Sequence, residues 1–220
     1  DVVTPCSACY LVLNKTNHYF ADYPDLRKKV GQALEAGGLS YSGNIRVRHL
    51  LDVFVNDVGA EKIAEKAKRR LEGLTVAPYY GCQIVRPEEG FDDPDDPQTM
   101  DRLIEACGAE CAPFRMKTKC CGASLMGTEE KLALKLCREL LEEAERSGAN
   151  CIVTTCPLCQ MNLDVYQRKV NSLFKTKFHL PVIYFTQIVG LALGIDAKRL
   201  GMKRLAVKPT GNVKRIVEGA

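Results

Sequence analysis

The sequence contains no apolar run of membrane-spanning length, and residues 1–4 resemble no part of a signal peptide. It also lacks a phosphate-binding P-loop, a Gly-rich dinucleotide turn and a nucleophile elbow. We therefore expect a soluble chain without a membrane span. Neither bound nucleotide nor hydrolytic chemistry finds support in the sequence.

Dense runs of basic residues, which are typical of nucleic-acid-binding proteins, are missing as well. The net charge is only +4, and we expect the densest basic cluster, Lys66–Arg70, to be the solvated face of a helix. His18, His49 and His179 lack the spacing of metal ligands, so we expect surface or structural roles for them. A small anionic substrate or an acidic partner is compatible with this mild charge.

Cysteine, in contrast, is abundant, with 11 residues in a chain of 220. The odd total includes an adjacent pair and two C-x-x-C units. This usage favours thiolate ligation inside the cell over extracellular disulfides, and it predicts a cytoplasmic location.

Short apolar runs alternate with amphipathic segments, a pattern that predicts an α/β fold. Residues 74–77 and 151–154 are the clearest strands, and a cysteine follows each of them. We expect helices over residues 45–57, over 61–71, and from an N-cap at Thr128 to Gly148. Ligands at the carboxyl ends of strands would lie where open α/β sheets usually place their sites.

An internal repeat is visible in the sequence. Residues 2–9 match residues 152–159 in register, because Cys6 and Cys9 lie 150 positions before Cys156 and Cys159. We therefore expect two pseudo-symmetric cysteine-rich α/β repeats, with the end of the first in residues 1–72 and the complete second in residues 73–220. Counterparts of Cys82 and Cys120 would precede residue 1, so we expect an N-terminally truncated chain with an incomplete first repeat.

The candidate site consists of five cysteines in the second repeat, namely Cys82, Cys120, Cys121, Cys156 and Cys159. Adjacent side chains in an extended segment diverge, so the Cys-Cys pair would chelate one tetrahedral ion poorly but can reach different irons of a larger cluster. Five thiolates also exceed the four of a zinc site or a simple cubane. Gly81 and Gly122 would let the main chain approach inorganic sulfide, or would serve only as turn residues.

Residues 78–87, 119–125 and 153–160 resemble the repeated Cys…Cys-Cys-Gly…Cys-x-x-Cys signature of the B subunit of heterodisulfide reductase. That resemblance implies two noncubane [4Fe-4S] clusters, one in each cysteine-rich repeat. The five cysteines of the second repeat would hold one cluster, and Cys6 and Cys9 would be ligands of the incomplete first. The implied partners are the flavin-containing A subunit and the ferredoxin-like C subunit of the same enzyme.

The implied activity is reduction of a disulfide, such as the coenzyme M–coenzyme B heterodisulfide, with electrons from the partner subunits. We expect the chain alone to be inactive. Arg86 and Lys119, which lie near ligands in sequence, would attract an anionic substrate or tune the cluster, although a surface role is compatible with both.

Two other functions stay open, namely an electron-transfer subunit of a dehydrogenase or quinone-linked complex and a structural zinc module. We expect the remaining cysteines to be packing residues; the alternative for Cys107 and Cys111 is a further metal pair. Cys137 and Cys151 would fill small volumes in the core.

Overall fold

The computed structural model describes residues 1–86 and 90–219. Pro87, at the end of the first segment that carries the resemblance, lies outside the described residues. Within them the chain forms two parallel sheets, which confirms the α/β fold class. One sheet pairs β1 (Val2–Thr4) with β2 (Val47–His49), and the other has the order β4-β3-β5-β6, with β3 (Thr75–Tyr79), β4 (Glu110–Cys111), β5 (Cys151–Thr154) and β6 (Val182–Tyr184).

The helices connect these parallel strands, as crossover connections require. Three shorter helical segments are the π-helix Val53–Val58 and the 3₁₀ helices Ala123–Leu125 and Met202–Arg204. The α-helices are α1 (Ser7–Asp22), α2 (Pro24–Ala36), α3 (Leu50–Asp52), α4 (Ala60–Lys66), α5 (Thr99–Ala106), α6 (Glu130–Arg146), α7 (Pro157–Val165), α8 (Gln167–Phe174), α9 (Phe185–Ala192) and α10 (Gly211–Glu218).

Strands β3, β5 and β6 are largely buried, so they are nearly continuous apolar runs. Alternate strand residues face opposite sides. Val76 and Val153 pack with α5 and α9 on one side, whereas Ala77 and Ile152 pack with α6 and α8 on the other. The carboxyl ends of β3 and β5 are thereby fixed side by side.

The predicted repeat appears in the register of the strands. Thr4 at the end of β1 pairs with His49 of β2, and Thr154 at the end of β5 pairs with Tyr184 of β6. Among the described residues, β5 has a second neighbour, β3, whereas β1 pairs with β2 alone. The division of the chain at residues 72 and 73 stays a prediction.

The helix predicted over residues 45–57 was wrong at its start. Val47–His49 form β2, because these three buried residues pair with β1, and helical structure begins only at Leu50. The helix predicted over residues 61–71 ends early, at Lys66, since the N–H groups of Lys68 and Arg69 donate to the Ala192 carbonyl. Most of the Lys66–Arg70 cluster therefore lies beyond the helix.

The long helix α6 begins two residues after the predicted N-cap, Thr128, with Glu129 at the capping position. Gly148, whose φ is +80°, follows its end as predicted. No helix in residues 1–86 or 90–219 has the length and apolar character needed to cross a bilayer.

Candidate functional site

The five cysteines of the second repeat line one cavity of about 40 Å³. They come from three places that are distant in sequence and meet at the carboxyl ends of β3 and β5. Ser7 of the first repeat lines the same cavity. The other residues that line it are Tyr80, Gly81, Gln83, Ala123, Ser124 and Leu158.

Gly81 turns the chain from β3 into Cys82. Its φ of +74° favours glycine, and a Cβ there would lie 3.3 Å from the Cys159 Sγ atom. Its N–H donates to the Lys117 carbonyl at 2.9 Å, which fixes the turn against the segment that leads to Cys120. Gly81 is therefore needed both for its backbone conformation and for its closeness to a thiol.

The adjacent cysteines point to different partners. Cys120 interacts with Cys82, whereas the Sγ atom of Cys121 lies 3.5 Å from that of Cys159. Gly122, with a φ of +78°, donates its N–H to the Cys120 Sγ atom at 3.3 Å, and a Cβ there would lie 2.9 Å from the Ala133 Cα atom of α6. This divergence is the geometry expected when neighbouring thiols reach different atoms of one group.

Cys159 controls the protonation of its neighbours. Its thiol lies between Cys121 and Cys156 and keeps its proton, so that its own pKa is raised well above the usual value. Hydrogen bonding to Cys159 lowers the pKa of Cys121 to about 7 and that of Cys156 to about 5. Burial raises the pKa of Cys82 to about 11. The thiolate form is therefore favoured at Cys121 and Cys156, and the thiol form at Cys82.

Cys156 lies at the N-terminus of α7, where unpaired main-chain N–H groups stabilise a thiolate. After the Cys159 thiol, the N–H groups of Cys159, Ala8 and Leu158 lower its pKa further. Because Ala8 belongs to the first turn of α1, the start of the first repeat's C-x-x-C helix also faces Cys156.

The two repeats contact each other directly at their cysteine turns. The Tyr184 hydroxyl donates to the Pro5 carbonyl and lies 2.9 Å from the Thr155 carbonyl oxygen. Pro5 and Thr155 are the residues immediately before Cys6 and Cys156. The Ser7 and Thr155 hydroxyls lie 3.3 Å apart, which adds a second link between the repeats.

His49 occupies the position in the first repeat that Tyr184 occupies in the second. Its Nδ1 atom accepts from the Leu51 N–H at 3.1 Å. Its Nε2 atom makes no hydrogen bond of normal geometry within the described residues. The main chain of Thr155 lies nearby and acts to raise the His49 pKa. Burial dominates and lowers the His49 pKa to about 4. A surface position for His49 is wrong, since its side chain is fully buried, and a structural role stays a prediction.

Cys6 and Cys9, the predicted ligands of the first cluster, are placed differently from the other five. Cys6 is half-buried and close enough to Cys156 for their charges to interact, and burial raises its pKa to about 11. Cys9 is exposed. Neither lines the cavity, so their role as ligands stays a prediction.

The remaining cysteines lie outside the cavity. Cys107 and Cys151 are completely buried in the core beside α5 and α9. Half-buried Cys111 packs against the same core. Cys137 is buried as predicted, but its Sγ atom lies 3.3 Å from the Cys121 carbonyl oxygen, so it also supports the main chain of a candidate ligand.

Sequence reasoning missed several polar residues behind the cavity. Asn162 donates to the Cys121 carbonyl at 2.8 Å and contacts the Cys137 Sγ atom. The Tyr79 hydroxyl donates to the Lys119 carbonyl at 2.6 Å. Asn162 follows Cys159 by three residues, which places both on one face of α7, and this spacing could have identified it.

Arg86 and Lys119 line a second cavity, of about 550 Å³, which also reaches Cys82 and Cys120. Two further cations, Arg115 and Arg146, face the same space, and we call it the basic cavity. Its remaining lining residues are Met116, Thr118 and Glu143.

Comparisons with known proteins identify a family and several relatives. The family described as the cysteine-rich (CCG) domain matches residues 76–164, which contain all five cysteines of the cavity. The chain is 34% identical to a protein of Archaeoglobus profundus named as similar to the B subunit of heterodisulfide reductase, over 99% of this chain and 75% of that one. It is 31% identical to the B subunit of the ferredoxin:CoB-CoM heterodisulfide reductase of Methanosarcina mazei, over 99% and 74% of the two chains.

The chain belongs to the family of the heterodisulfide reductase B subunit. It is also 36% identical to the 8-methylmenaquinol:fumarate reductase membrane anchor subunit of Wolinella succinogenes, over 95% of this chain and 73% of that one. A hypothetical protein from Helicobacter pylori has the same fold, with a TM-score of 0.73 and 17% identity. The match covers 92% of this chain but only 37% of that longer chain.

Membership in this family supports an iron–sulfur oxidoreductase subunit, and the donor set fits such a group. Five thiols converge, two of them have lowered pKa values, and a glycine lies where a Cβ would meet a thiol. In residues 1–86 and 90–219, no three or more His, Cys, Asp or Glu side chains are arranged to hold a single metal ion.

Proposed function

We propose that the chain is the iron–sulfur subunit of a cytoplasmic complex that reduces a disulfide. Cys82, Cys120, Cys121, Cys156 and Cys159 would hold a noncubane [4Fe-4S] cluster. The observation that supports this most is the divergence of Cys120 and Cys121 toward different partners in one cavity. Two neighbouring thiols that diverge in this way would coordinate a single tetrahedral ion poorly.

The reaction adds two electrons and two protons to a disulfide and releases two thiols. The bound cluster would supply the electrons one at a time, after receiving them from flavin-containing and ferredoxin-like partner subunits. The chain's own residues orient the site. Because Gly81 has no Cβ, its main chain can lie close to the Cys159 Sγ atom. Asn162 and Cys137 contact the Cys121 carbonyl and hold the main chain of that residue.

The link between the repeats suits a two-site reaction. In this proposal Cys6 and Cys9 contribute to a second cluster, opposite the first. The Tyr184 hydroxyl contacts the carbonyls that precede Cys6 and Cys156, so it fixes the two cysteine turns relative to each other. Arg86 and Lys119 would attract an anionic substrate toward Cys82 and Cys120.

The test is disulfide-dependent oxidation of a reduced viologen by the assembled complex, with the Cys121→Ala variant beside the wild type. We expect the wild type to release two thiols for every two viologen electrons and the variant to release none. Oxidation of viologen that does not respond to the disulfide would refute the proposal.

The alternative function is electron transfer to a dehydrogenase or quinone-linked partner without disulfide chemistry. One observation favours it, namely the 36% identity to a subunit named for an 8-methylmenaquinol:fumarate reductase. The viologen assay separates the two functions if a quinone replaces the disulfide as electron acceptor. Quinone-dependent oxidation, with no response to disulfides, would support the alternative.

A further inference from the structure

Among the described residues, four cations and one carboxylate line the basic cavity. Arg115 and Lys119 belong to the segment before Cys120, Arg86 follows the Cys82 turn, and Arg146 ends α6. Like charges gathered in one concave space repel one another and raise the local positive potential unless an anion joins them. The volume of about 550 Å³ is in the usual range for a small-molecule site.

The segment that carries Arg115 and Lys119 shows that these charges are not used for folding. Lys117, between them, is neutralised by Asp101 at 2.8 Å and Asp96 at 3.1 Å. Within residues 1–86 and 90–219, Arg115 and Lys119 form no ion pair. Lys117 thus stabilises the fold through ion pairs, whereas Arg115 and Lys119 line the cavity.

The main chain of this segment is held in place. The Lys117 carbonyl accepts from the Tyr80 and Gly81 N–H groups at 3.0 and 2.9 Å, and the Lys119 carbonyl accepts from the Tyr79 hydroxyl. Preorganised cations bind an anion better than mobile ones, because less conformational entropy is lost on binding.

Glu143 lowers the net charge of the cavity but does not cancel it. Its side chain is only 6% exposed and pairs with Arg146, whose side chain is 73% exposed. Arg146 Nε donates to Glu143 Oε2 at 2.8 Å, and this contact holds the guanidinium at the wall. Within the part of the chain that the structure describes, the lining side chains of four cations and Glu143 together carry a charge of +3.

We infer that the basic cavity binds a small organic anion with at least two negative charges, as carboxylate or phosphate groups. Because the cavity reaches Cys82 and Cys120, the ligand enters the site on that side, and Arg115 and Arg146 select it by charge. That this ligand is also the disulfide substrate rests on the proposed function. The binding of the anion does not.

The test is anaerobic calorimetry on the full chain, with succinate and inorganic phosphate as probes and uncharged succinamide as the control ligand. We expect saturable binding of the anions that weakens as ionic strength rises, and no binding of succinamide. Arg115→Gln should weaken anion binding about fivefold, the scale of one partly exposed charge contact. Lys135→Gln, which removes a cation from the exposed face of α6, should leave it unchanged.

A second variant, which is expected to tighten anion binding, distinguishes a weakened site from a misfolded protein. Glu143→Gln removes the only anionic side chain among the described residues that line the cavity, so it should tighten binding of both anions. Absence of saturable binding by both anions, or equal effects of Arg115→Gln and Lys135→Gln, would overturn the inference. Iron content measured on the same samples separates this outcome from a failure of the proposed function. Anion binding by a chain that takes up no iron would refute the proposed cluster but not the anion site.

Discussion

At the scale of single residues, the five cysteines of the cavity are not equivalent. Cys121 and Cys156 have lowered pKa values because Cys159 lies between them, whereas burial raises that of Cys82. The cavity without a cluster thus holds a mixture of thiol and thiolate. A group that binds all five must displace protons from the others, as metal binding to cysteine generally does.

Cys121→Ala tests the assignment of a single ligand. The substitution should abolish the cluster or convert it to another form, because it removes one of the five thiols that line the cavity, the one 3.5 Å from the Cys159 Sγ atom. Cys137→Ala is the comparison variant, since it removes a buried thiol that contacts the Cys121 carbonyl and Asn162 from behind but does not itself line the cavity.

In the comparison variant, the free energy of unfolding should fall by about 1 kcal/mol, the usual scale of a small core truncation. Iron content, visible absorption and EPR of the two reconstituted variants provide the comparison. Identical spectra and iron contents in both would remove Cys121 from the ligand set.

His49 predicts a dependence of stability on pH. Burial lowers its pKa from 6.5 to about 4, so between these values the unfolded chain binds a proton that the folded chain does not. The contribution is therefore constant above about pH 7 and is lost as the pH falls toward 4. The free energy of unfolding should drop by about 2 kcal/mol from pH 7 to pH 5 through this residue.

His49→Gln should remove that part of the slope, as measured by denaturant unfolding at both pH values. An unchanged slope in the variant would show that His49 does not control this transition.

At the scale of elements, the site depends on where strands end. β3 and β5 are neighbours in one parallel sheet, so Cys82 and Cys156, which follow them, must lie close together. Sequence patterns predicted this convergence, because both strands are apolar runs that lead into cysteines. They failed at β2, because an apolar stretch broken by Arg48 and His49 fits a helix as well as a short strand.

Tyr184→Phe tests the contact between the repeats. Removing the hydroxyl frees the Pro5 and Thr155 carbonyls, so the cysteine turns should lose their fixed separation. Tyr41→Phe is the matched control, because it removes a hydroxyl that donates to Asn17 at 2.6 Å, and neither residue lines the cavity of the five cysteines.

Both variants should lose about 1 kcal/mol of stability, the usual net value of one hydrogen bond. Only Tyr184→Phe should also change the EPR spectrum of the loaded chain. Equal spectra in the two variants would reduce Tyr184 to a stabilising role.

At the scale of the whole molecule, the repeat explains why the site was predictable and its supports were not. The matching C-x-x-C motifs predicted two related strands that lead into cysteines, and these strands, β1 and β5, pair with β2 and β6 in corresponding register. Tyr184 and His49 occupy equivalent positions but differ in residue type, so the repeat alone does not predict the contacts of the Tyr184 hydroxyl. Contacts between distant segments, such as Ser7 with Thr155, leave no local pattern.

The most direct test of the account is metal and sulfide analysis of the chain after anaerobic reconstitution. We expect about four irons and four acid-labile sulfides per chain, the content of one [4Fe-4S] cluster. The five cysteines in one cavity are the physical basis of this expectation. One zinc per chain, with iron and sulfide near zero, would contradict it.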